Sequence, residues 1–311
     1  MGQMEGEPHF GQEAEERWHE ISRRNARSVQ TTVGWIFWDP GAVARYETLG
    51  LDSTVAGPLG YIASRGAPLA PAGAQAVIAA FGTISAAGIR LTFDLLTRPE
   101  AFRDFRDARD EAVEEGLRRH APQIVAPLCE TGPALWEVVD RLPLLGRPLF
   151  GATLAMPRPR SPLLAGWHAV NLLREWRGDT HWALVAAAGL TAPEASVLHN
   201  EWLRYDDDWL SRSRGHSADE IAEGWESLTR KGLAADGRVL PAGLRLRQRI
   251  EDLTDERTAL PWRLLGEPAA RAFATRFEPP CTLLLTRVDE TAGVRYQPAS
   301  RVRSRYEDGQ A

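Results

Sequence analysis

Apolar residues recur at three- and four-residue steps at the start of the second half of the chain. The spacing predicts a helix over 163–176 and rests on four side chains: Leu164, Trp167, Val170 and Leu173. Gly178 is expected to end this helix, because glycine commonly stands just past a helix C-terminus. Asp179 or Thr180 would then cap the following helix. The pattern therefore predicts a helix break at 178–180.

Helical periodicity resumes in two short segments, 181–188 and 191–203, which a Gly189-Leu190 turn separates. A helix, a tight glycine turn and a second helix have the spacing of a helix-turn-helix. A further helix is expected over 217–231.

A hairpin is predicted after these helices. Asp236-Gly237 lies inside 233–240 and is a typical two-residue turn, since both residue types tolerate positive φ. We interpret 233–240 as a two-stranded wing. Amphipathic helices over 241–253 and 267–277 are expected to follow it.

The first half has the pattern of a separate helical domain. Residues 72–96 are rich in Ala, Ile, Val and Phe, which indicates helices buried on most sides. Residues 143–162 contain too many prolines for regular structure. The expected division is a helical domain at 13–142, a proline-rich linker at 143–162, a second domain at 163–289 and disordered tails at 1–12 and 290–311.

Composition excludes several classes of protein. The chain has 311 residues, of which 43% are hydrophobic and 25% charged, and a net charge of −5. These values are typical of a soluble globular protein. No apolar run approaches the ~20 residues of a membrane span, and the acidic N-terminus is unlike a signal peptide. We therefore expect a cytoplasmic protein with no membrane partner.

The sequence offers no motif for a metal or a cofactor. Cys129 and Cys281 stand outside any CxxC or zinc-ligand spacing, so we predict two buried thiols. His168 lies seven residues before Glu175 on one helix face, which is not a metal-ligand spacing. No Gly-rich phosphate loop and no GxSxG motif is present. We expect neither a cofactor nor a metal.

Four motifs carry a resemblance to a known family: YIASRGAPLAP at 61–71, LLREWRGDTH at 172–181, VAAAGL at 185–190 and LTRKGL at 228–233. Over about 40–265 the chain resembles an actinobacterial family of uncharacterised helix-turn-helix-like proteins, related by fold to MarR proteins. The resemblance implies a mainly α protein: a helical N-terminal domain plus a MarR-like winged-helix C-terminal domain with a small two-stranded wing. It also implies a place among genes of specialised metabolism, or natural product biosynthesis. Trp176 stands where members tend to carry histidine.

DNA is not the expected partner of this helix-turn-helix. A reading helix needs Arg, Lys, Asn or Gln aimed at base edges. The segment 191–203 has no Arg or Lys and carries Glu194 and Glu201. The segment 217–231 begins with four acidic residues: Asp219, Glu220, Glu223 and Glu226. Six flanking residues remain candidates for phosphate contacts: Arg212, Arg214, His216, Arg245, Arg247 and Arg249.

Polar residues concentrate instead around 172–181. His181 at a helix start can act as a general base, Arg65 can hold an anionic group or an oxyanion, and Arg177 is a further polar group of the same site. These three are the candidate catalytic residues. A structural interpretation stays open, in which the same groups cap helices and form ion pairs.

Eleven tryptophans suit an apolar pocket for a flat ligand as well as a core. We predict such a pocket between the two domains, for a hydrophobic or aromatic small molecule. The candidate ligand-binding residues are Trp35, Trp38, Tyr61, Trp167, Trp176, Asp179 and Trp182. The favoured function is a cofactor-free enzyme of cyclase, isomerase or lyase type. The alternatives are a MarR-like DNA-binding regulator and a non-catalytic ligand-binding or self-resistance protein, and association into a homodimer is left open.

Overall fold

The structure, a computed structural model, describes residues 9–302 and 305–306, with side chains described from residue 13 onward. Within this part the protein is mainly helical, as predicted. The helices of the first half are α1 (His9–Gly34), α2 (Pro40–Thr48), α3 (Ala56–Gly66), α4 (Ala74–Ala80), α5 (Ala86–Leu95), α6 (Ala101–His120), α7 (Val125–Val139) and α8 (Pro148–Leu154).

The second half begins with the long helix α9 (Pro162–Ala187). It continues with α10 (Ala192–Trp202), α11 (Trp209–Ser213), α12 (Ala218–Arg230), β1 (Ala234–Ala235), β2 (Arg238–Val239), α13 (Pro241–Arg257), α14 (Leu260–Leu265) and α15 (Glu267–Thr291). Short 3-10 turns lie at Trp35–Trp38, Ala70–Ala72, Pro122–Ile124 and Pro298–Ser300.

Helix α9 lies at the centre of the molecule and packs on α1, α6, α7, α8 and α13. Its closest neighbour is α7, where two glycines let the backbones meet. A Cβ atom on Gly132 would lie 3.0 Å from the Cα of Gly166, and one on Gly166 would lie 2.2 Å from the carbonyl oxygen of Leu128. The absence of side chains at these two positions is therefore what allows α7 and α9 to pack so closely.

The predicted helix break at 178–180 is wrong, because α9 continues through Gly178 to Ala187. A glycine inside a helix costs about 1 kcal/mol. Burial of a large apolar side chain such as that of Trp176, which is 1% exposed, contributes roughly 1.5–3 kcal/mol. Tertiary packing therefore outweighs the local preference. Asp179 lies inside α9 and does not cap it.

The proline-rich segment 143–162 was expected to lack regular structure, but it contains α8. Pro148 occupies the first position of this helix, where no backbone N–H is needed. The carboxylate of Asp179 accepts a hydrogen bond from the backbone N–H of Phe150 at 2.8 Å. Asp179 thus satisfies the N-terminus of α8, a helix distant in sequence.

Two hydrophobic cores organise the described residues. The larger core joins α1–α9 to Trp262 and to Phe273 and Phe277 of α15. The smaller core lies among the end of α9, α10, α12, β1 and α13 and includes Leu198 and Leu228. Side chains from both sides of the proline-rich segment therefore share the larger core, and α15 packs directly on α1.

The region after α9 has the predicted helix-turn-helix and hairpin. Gly189 adopts φ +70°, and Thr191 and Ser217 begin α10 and α12 with reciprocal capping boxes. The two strands are antiparallel, and Asp236 and Gly237 between them both have positive φ, as a tight hairpin turn requires. The small two-stranded sheet is confirmed.

Residues 290–302 were expected to be a disordered tail, but they pack against α1. The side chain of Gln297 donates to the carbonyl of Gly34 at 2.9 Å and accepts from Gln30 at 2.9 Å. Tyr296 packs on Trp38 with the two rings tilted by 50° and their centres 4.2 Å apart. Of the other tail, residues 9–12 belong to α1, while 1–8, 303–304 and 307–311 lie outside the described residues.

Among the described helices, none combines the length and apolar character that crossing a membrane requires.

The two glycines of α9 provide a matched test of its packing. Gly166→Ala should lower the free energy of unfolding by about 3 kcal/mol or more, because its methyl group collides with the α7 backbone. Gly178→Ala should raise it by up to about 1 kcal/mol, because the nearest atom, Oε2 of Glu175, would lie 3.8 Å away. Urea denaturation measures both. Equal effects of the two substitutions would contradict the close contact between α7 and α9.

Candidate functional site

One face of α9, on which three of four side chains are polar, marks the candidate site. Leu164, His168, Asn171 and Glu175 follow one another at three- and four-residue spacing, so they lie on one face of the helix. They face a cleft of about 490 Å³, which we call the α9 cleft. Its other walls come from α3, α6 and residues 153–161.

A buried histidine and carboxylate form the floor of the α9 cleft. His168 Nε2 lies 2.8 Å from Asp110 Oδ2, and the other carboxylate oxygen of Asp110 accepts two bonds from Arg109, at 2.9 and 2.6 Å. Burial opposes ionisation of Asp110, but the charge of Arg109 and the hydrogen bonds from His168 and Arg109 outweigh it and hold its pKa well below the ordinary value. The ionised Asp110 favours the His168 tautomer with its proton on Nε2, which leaves the lone pair of Nδ1 available.

A second buried ion pair lies beside this one. Arg65 of α3 donates to both carboxylate oxygens of Glu175, at 3.1 and 2.8 Å, and to the hydroxyl of Tyr61 at 2.7 Å. Arg174 donates to Glu175 at 2.5 Å. Burial raises the pKa of Glu175, but Arg65 and Arg174 outweigh it, so that the pKa falls to about 2. Glu175 is therefore a permanently ionised wall of the cleft.

Two polar side chains of the α9 cleft have no protein partner within the described residues. Asn171 is 6% exposed and lines the cleft, and its amide makes no hydrogen bond there. The amide of Asn171 is not among the fully buried polar atoms that lack a partner, so it reaches the cleft and is available to a water molecule or a ligand. Arg160 lines the exposed part of the cleft and forms no ion pair within the described residues.

The structure places one of the three predicted catalytic residues, Arg65, in the α9 cleft. Arg177 and His181 lie on another face of α9, against α13. Arg177 donates to Thr258 at 2.8 Å and pairs with Glu251 at 3.0 Å and Asp255 at 2.7 Å. These contacts hold α9 against α13.

His181 has the wrong chemistry for the role expected of it. Its Nδ1 lies 2.9 Å from the hydroxyl of Thr254, which itself donates to a backbone carbonyl, so Nδ1–H is the donor. Burial and the nearby charge of Arg247 lower the pKa of His181 to about 3. The conjugate acid of such an imidazole is too strong for efficient proton abstraction near neutral pH.

The tryptophans predicted to line a pocket are mostly core residues. Trp35, Trp167 and Trp176 are 1%, 0% and 1% exposed. Trp167 and Trp176 donate to the backbone carbonyls of Thr32 and Pro143. No tryptophan lines the α9 cleft. The apolar, tryptophan-lined pocket is therefore replaced by a cleft with charged walls.

The other predicted ligand-binding residues also have structural contacts. Trp38 packs on Tyr296, Tyr61 lies edge-on to Phe37, and Trp182 covers Gly82. Burial raises the pKa of Asp179, which caps α8, to about 6. None of these residues lines the α9 cleft.

Sequence reasoning missed Asp110, His168 and Asn171. The signal for the last two was a set of polar residues at helical spacing on an otherwise apolar helix. Nothing in the sequence pointed to Asp110, since it lies within the highly charged α6. Within the described residues, no group of three or more His, Cys, Asp and Glu is arranged to hold a metal ion.

The helix-turn-helix exposes few groups suited to DNA. Every residue of α10 is buried or partly buried, and Glu194, 0% exposed, caps the helix and pairs with Lys231. The exposed face of α12, the helix before the hairpin, carries Asp219, Glu223 and Glu226. Of the flanking candidates for phosphate contacts, Arg247 and His216 are buried, while Arg212, Arg245 and Arg249 are exposed.

The glycine turn, the capped helices on either side of it and the following hairpin define a helix-turn-helix protein. The chain matches the Helix-turn-helix family over residues 22–289 and belongs to that family. No curated protein and no solved structure matches it. Because the match begins in α1 and ends in α15, it includes the α9 cleft as well as the helix-turn-helix.

Asp110 and Asp107 provide a matched test of the cleft floor, because they lie on the same helix but only Asp110 is buried. Asp110→Asn leaves Arg109 without its carboxylate and should lower the free energy of unfolding by roughly 3–5 kcal/mol at neutral pH. Asp107→Asn should change it by less than about 0.5 kcal/mol. Denaturant unfolding measures both.

The effect of Asp110→Asn on stability is predicted to depend on pH. A carboxyl whose pKa is depressed on folding stabilises the protein above its unfolded pKa, and this contribution disappears as the pH falls. The loss of unfolding free energy caused by Asp110→Asn should therefore be complete at pH 7 and should shrink as the pH falls below about 4. A deficit that is constant with pH would contradict an ionised Asp110.

Proposed function

We propose that this protein binds a small polar molecule in the α9 cleft and is a cofactor-independent enzyme in which His168 removes a proton. The observation that carries the proposal is the buried Asp110–His168 pair, which opens onto the cleft next to the unpartnered amide of Asn171. A carboxylate that orients a histidine is the usual arrangement of a general base.

The walls of the cleft indicate the chemistry of the ligand. Asn171 suits a carbonyl or hydroxyl group beside the reacting atom, and Arg160 suits an anionic group nearer the solvent. The ligand is therefore more polar than the hydrophobic or aromatic molecule expected from the tryptophan count.

The reaction class follows from proton transfer. In an isomerisation, Nδ1 of His168 accepts a proton from one carbon and returns it to another, so nothing is gained or lost and no cofactor takes part. Cyclisation and elimination can begin with the same abstraction. This range agrees with a role in specialised metabolism, which the family resemblance implies.

We also propose that α9–α13 with the hairpin form a winged helix of the MarR type. The order of helices, the packing of α10 on α12 and the position of the hairpin support it. Family membership hints at DNA as a partner, and the exposed Arg212, Arg245 and Arg249 favour that second function. The acidic face of α12 opposes it, because carboxylates repel the phosphates that supply most non-specific affinity.

The cleft is tested with a defined set of small keto acids and hydroxy acids, whose binding is detected by ligand-observed NMR. Leu164→Trp should fill the cleft and abolish binding, whereas Leu145→Trp, at a leucine that is 92% exposed, should retain it. Binding that survives Leu164→Trp would place the site elsewhere.

The base is tested by hydrogen–deuterium exchange. Keto acids that bind are incubated with the protein in D2O, and exchange of the C–H next to the carbonyl is followed by NMR. Wild type and Leu145→Trp should accelerate exchange, and His168→Gln should lose at least ~100-fold of that acceleration while still binding. Binding without exchange in the wild type would make the protein a non-catalytic ligand-binding protein.

A further inference from the structure

A second polar cluster lies where the helix-turn-helix meets the helices of the first half. The chain after α11 runs against the turn before α5. Ser85 N–H donates to the carbonyl of Arg214 at 2.9 Å, and His216 Nε2 lies 2.9 Å from the carbonyl of Thr83. Gly215, at φ +84°, packs on Ser85. The backbone at Arg214 is therefore held in place from both sides.

Two guanidinium groups at this junction have donors without partners. The partly buried side chain of Arg214 makes no hydrogen bond or ion pair within the described residues. Arg247 of α13 is 5% exposed, and its buried Nη1 also has no partner, although Nη2 donates to Glu251 at 2.7 Å. An unpaired charge withdrawn from water costs free energy unless an opposite charge approaches it.

The two arginines are near enough for their charges to interact, and Arg214 also interacts with Arg65 and Tyr61 of the first half of the chain. Burial and the charges of Arg247 and Arg65 together lower the pKa of Arg214 to about 10, although Tyr61 opposes this effect. Arg247 and Arg214 also act on His181. We call this cluster of Arg214, Arg247, His181 and Tyr61 the Arg214 junction.

The carboxylates around the Arg214 junction already have other partners. Glu251 is shared between Arg247 and Arg177, and Asp255 pairs with Arg177. Glu175 is shared between Arg65 and Arg174. The junction therefore carries an excess of positive charge, and among the described residues no carboxylate remains for Arg214.

We propose that the Arg214 junction binds an oxyanion, the carboxylate or phosphate of a small molecule, between the guanidinium groups of Arg214 and Arg247. The planar fork of donors on arginine matches both groups. His181 interacts electrostatically with both arginines, and Tyr61 with Arg214. Since the backbone of Arg214 contacts the turn before α5 and Arg247 belongs to α13, a bound anion ties the helix-turn-helix to the helices of the first half.

This site is separate from the α9 cleft, which neither Arg214 nor Arg247 lines. The proposal therefore does not rest on the proposed function. His168→Gln should leave anion binding unchanged, which distinguishes a failure of one site from a failure of the other.

The test is thermal denaturation of the full chain in inorganic phosphate, and separately in acetate, against sodium chloride of equal ionic strength. Wild type should show a saturable rise in Tm with at least one of the two oxyanions. Arg214→Gln should abolish the rise in Tm. Arg230→Gln, at an exposed arginine of α12, should retain it. In chloride alone, Arg214→Gln should have a Tm equal to or above that of the wild type, because an uncompensated charge is removed.

Two outcomes would overturn the proposal. One is that neither phosphate nor acetate has a saturable effect on the wild type beyond that of chloride, a measurement that depends on no variant. The other is that Arg214→Gln keeps the full response. A fall in Tm of Arg214→Gln in chloride would also count against it, since it would show that Arg214 has a structural partner. Arg247→Gln provides an independent second variant, which should lose the response as well.

Discussion

The ionisable side chains that α9 buries must find partners, and this requirement determines how the rest of the molecule is arranged around the helix. His168, Glu175 and Asp179 are 8%, 1% and 5% exposed. Their partners come from three different elements: Asp110 of α6, Arg65 of α3 and the backbone of α8. A charge left unpaired at such depth costs several kcal/mol, which is a large share of the stability of a domain. The polar face of α9 therefore fixes the positions of its neighbours, and the candidate site is formed where those neighbours meet.

Local signals in the sequence were reliable where they concerned turns and caps. Asp236-Gly237 correctly predicted the hairpin, and Gly189 the turn of the helix-turn-helix, because in both cases the backbone itself requires positive φ. Gly178 failed as a helix end, since the packing of Trp176 and Asp179 on either side of it outweighs a cost of about 1 kcal/mol. The prolines of 143–162 failed for a related reason. Pro148 occupies the first position of α8, where no backbone N–H is needed, and Asp179 caps the helix from a distance.

The candidate site was predictable only in part. The sequence identified Arg65 and the region around Glu175, but it favoured His181 over His168. The difference between the two histidines lies in contacts with distant residues. Asp110 orients His168. His181 instead donates a hydrogen bond to Thr254, and burial together with the charge of Arg247 keeps it neutral. The number of tryptophans wrongly favoured an apolar ligand pocket for the same reason, since a large apolar ring fits a core as well as a pocket. Whether a polar residue has a structural or a catalytic role depends on its partners, and in this protein the partners lie on other helices.

We propose that this helix-turn-helix protein uses its charged side chains on small molecules and not on DNA. The most direct measurement is binding of a mixed-sequence DNA duplex over a range of salt concentrations. Wild type should show no saturable binding, while a variant with Asp219, Glu223 and Glu226 all changed to Lys should gain binding that weakens steeply with salt. Tight binding by the wild type, with an affinity that falls by orders of magnitude as salt rises, would contradict the claim and make the protein a DNA-binding regulator.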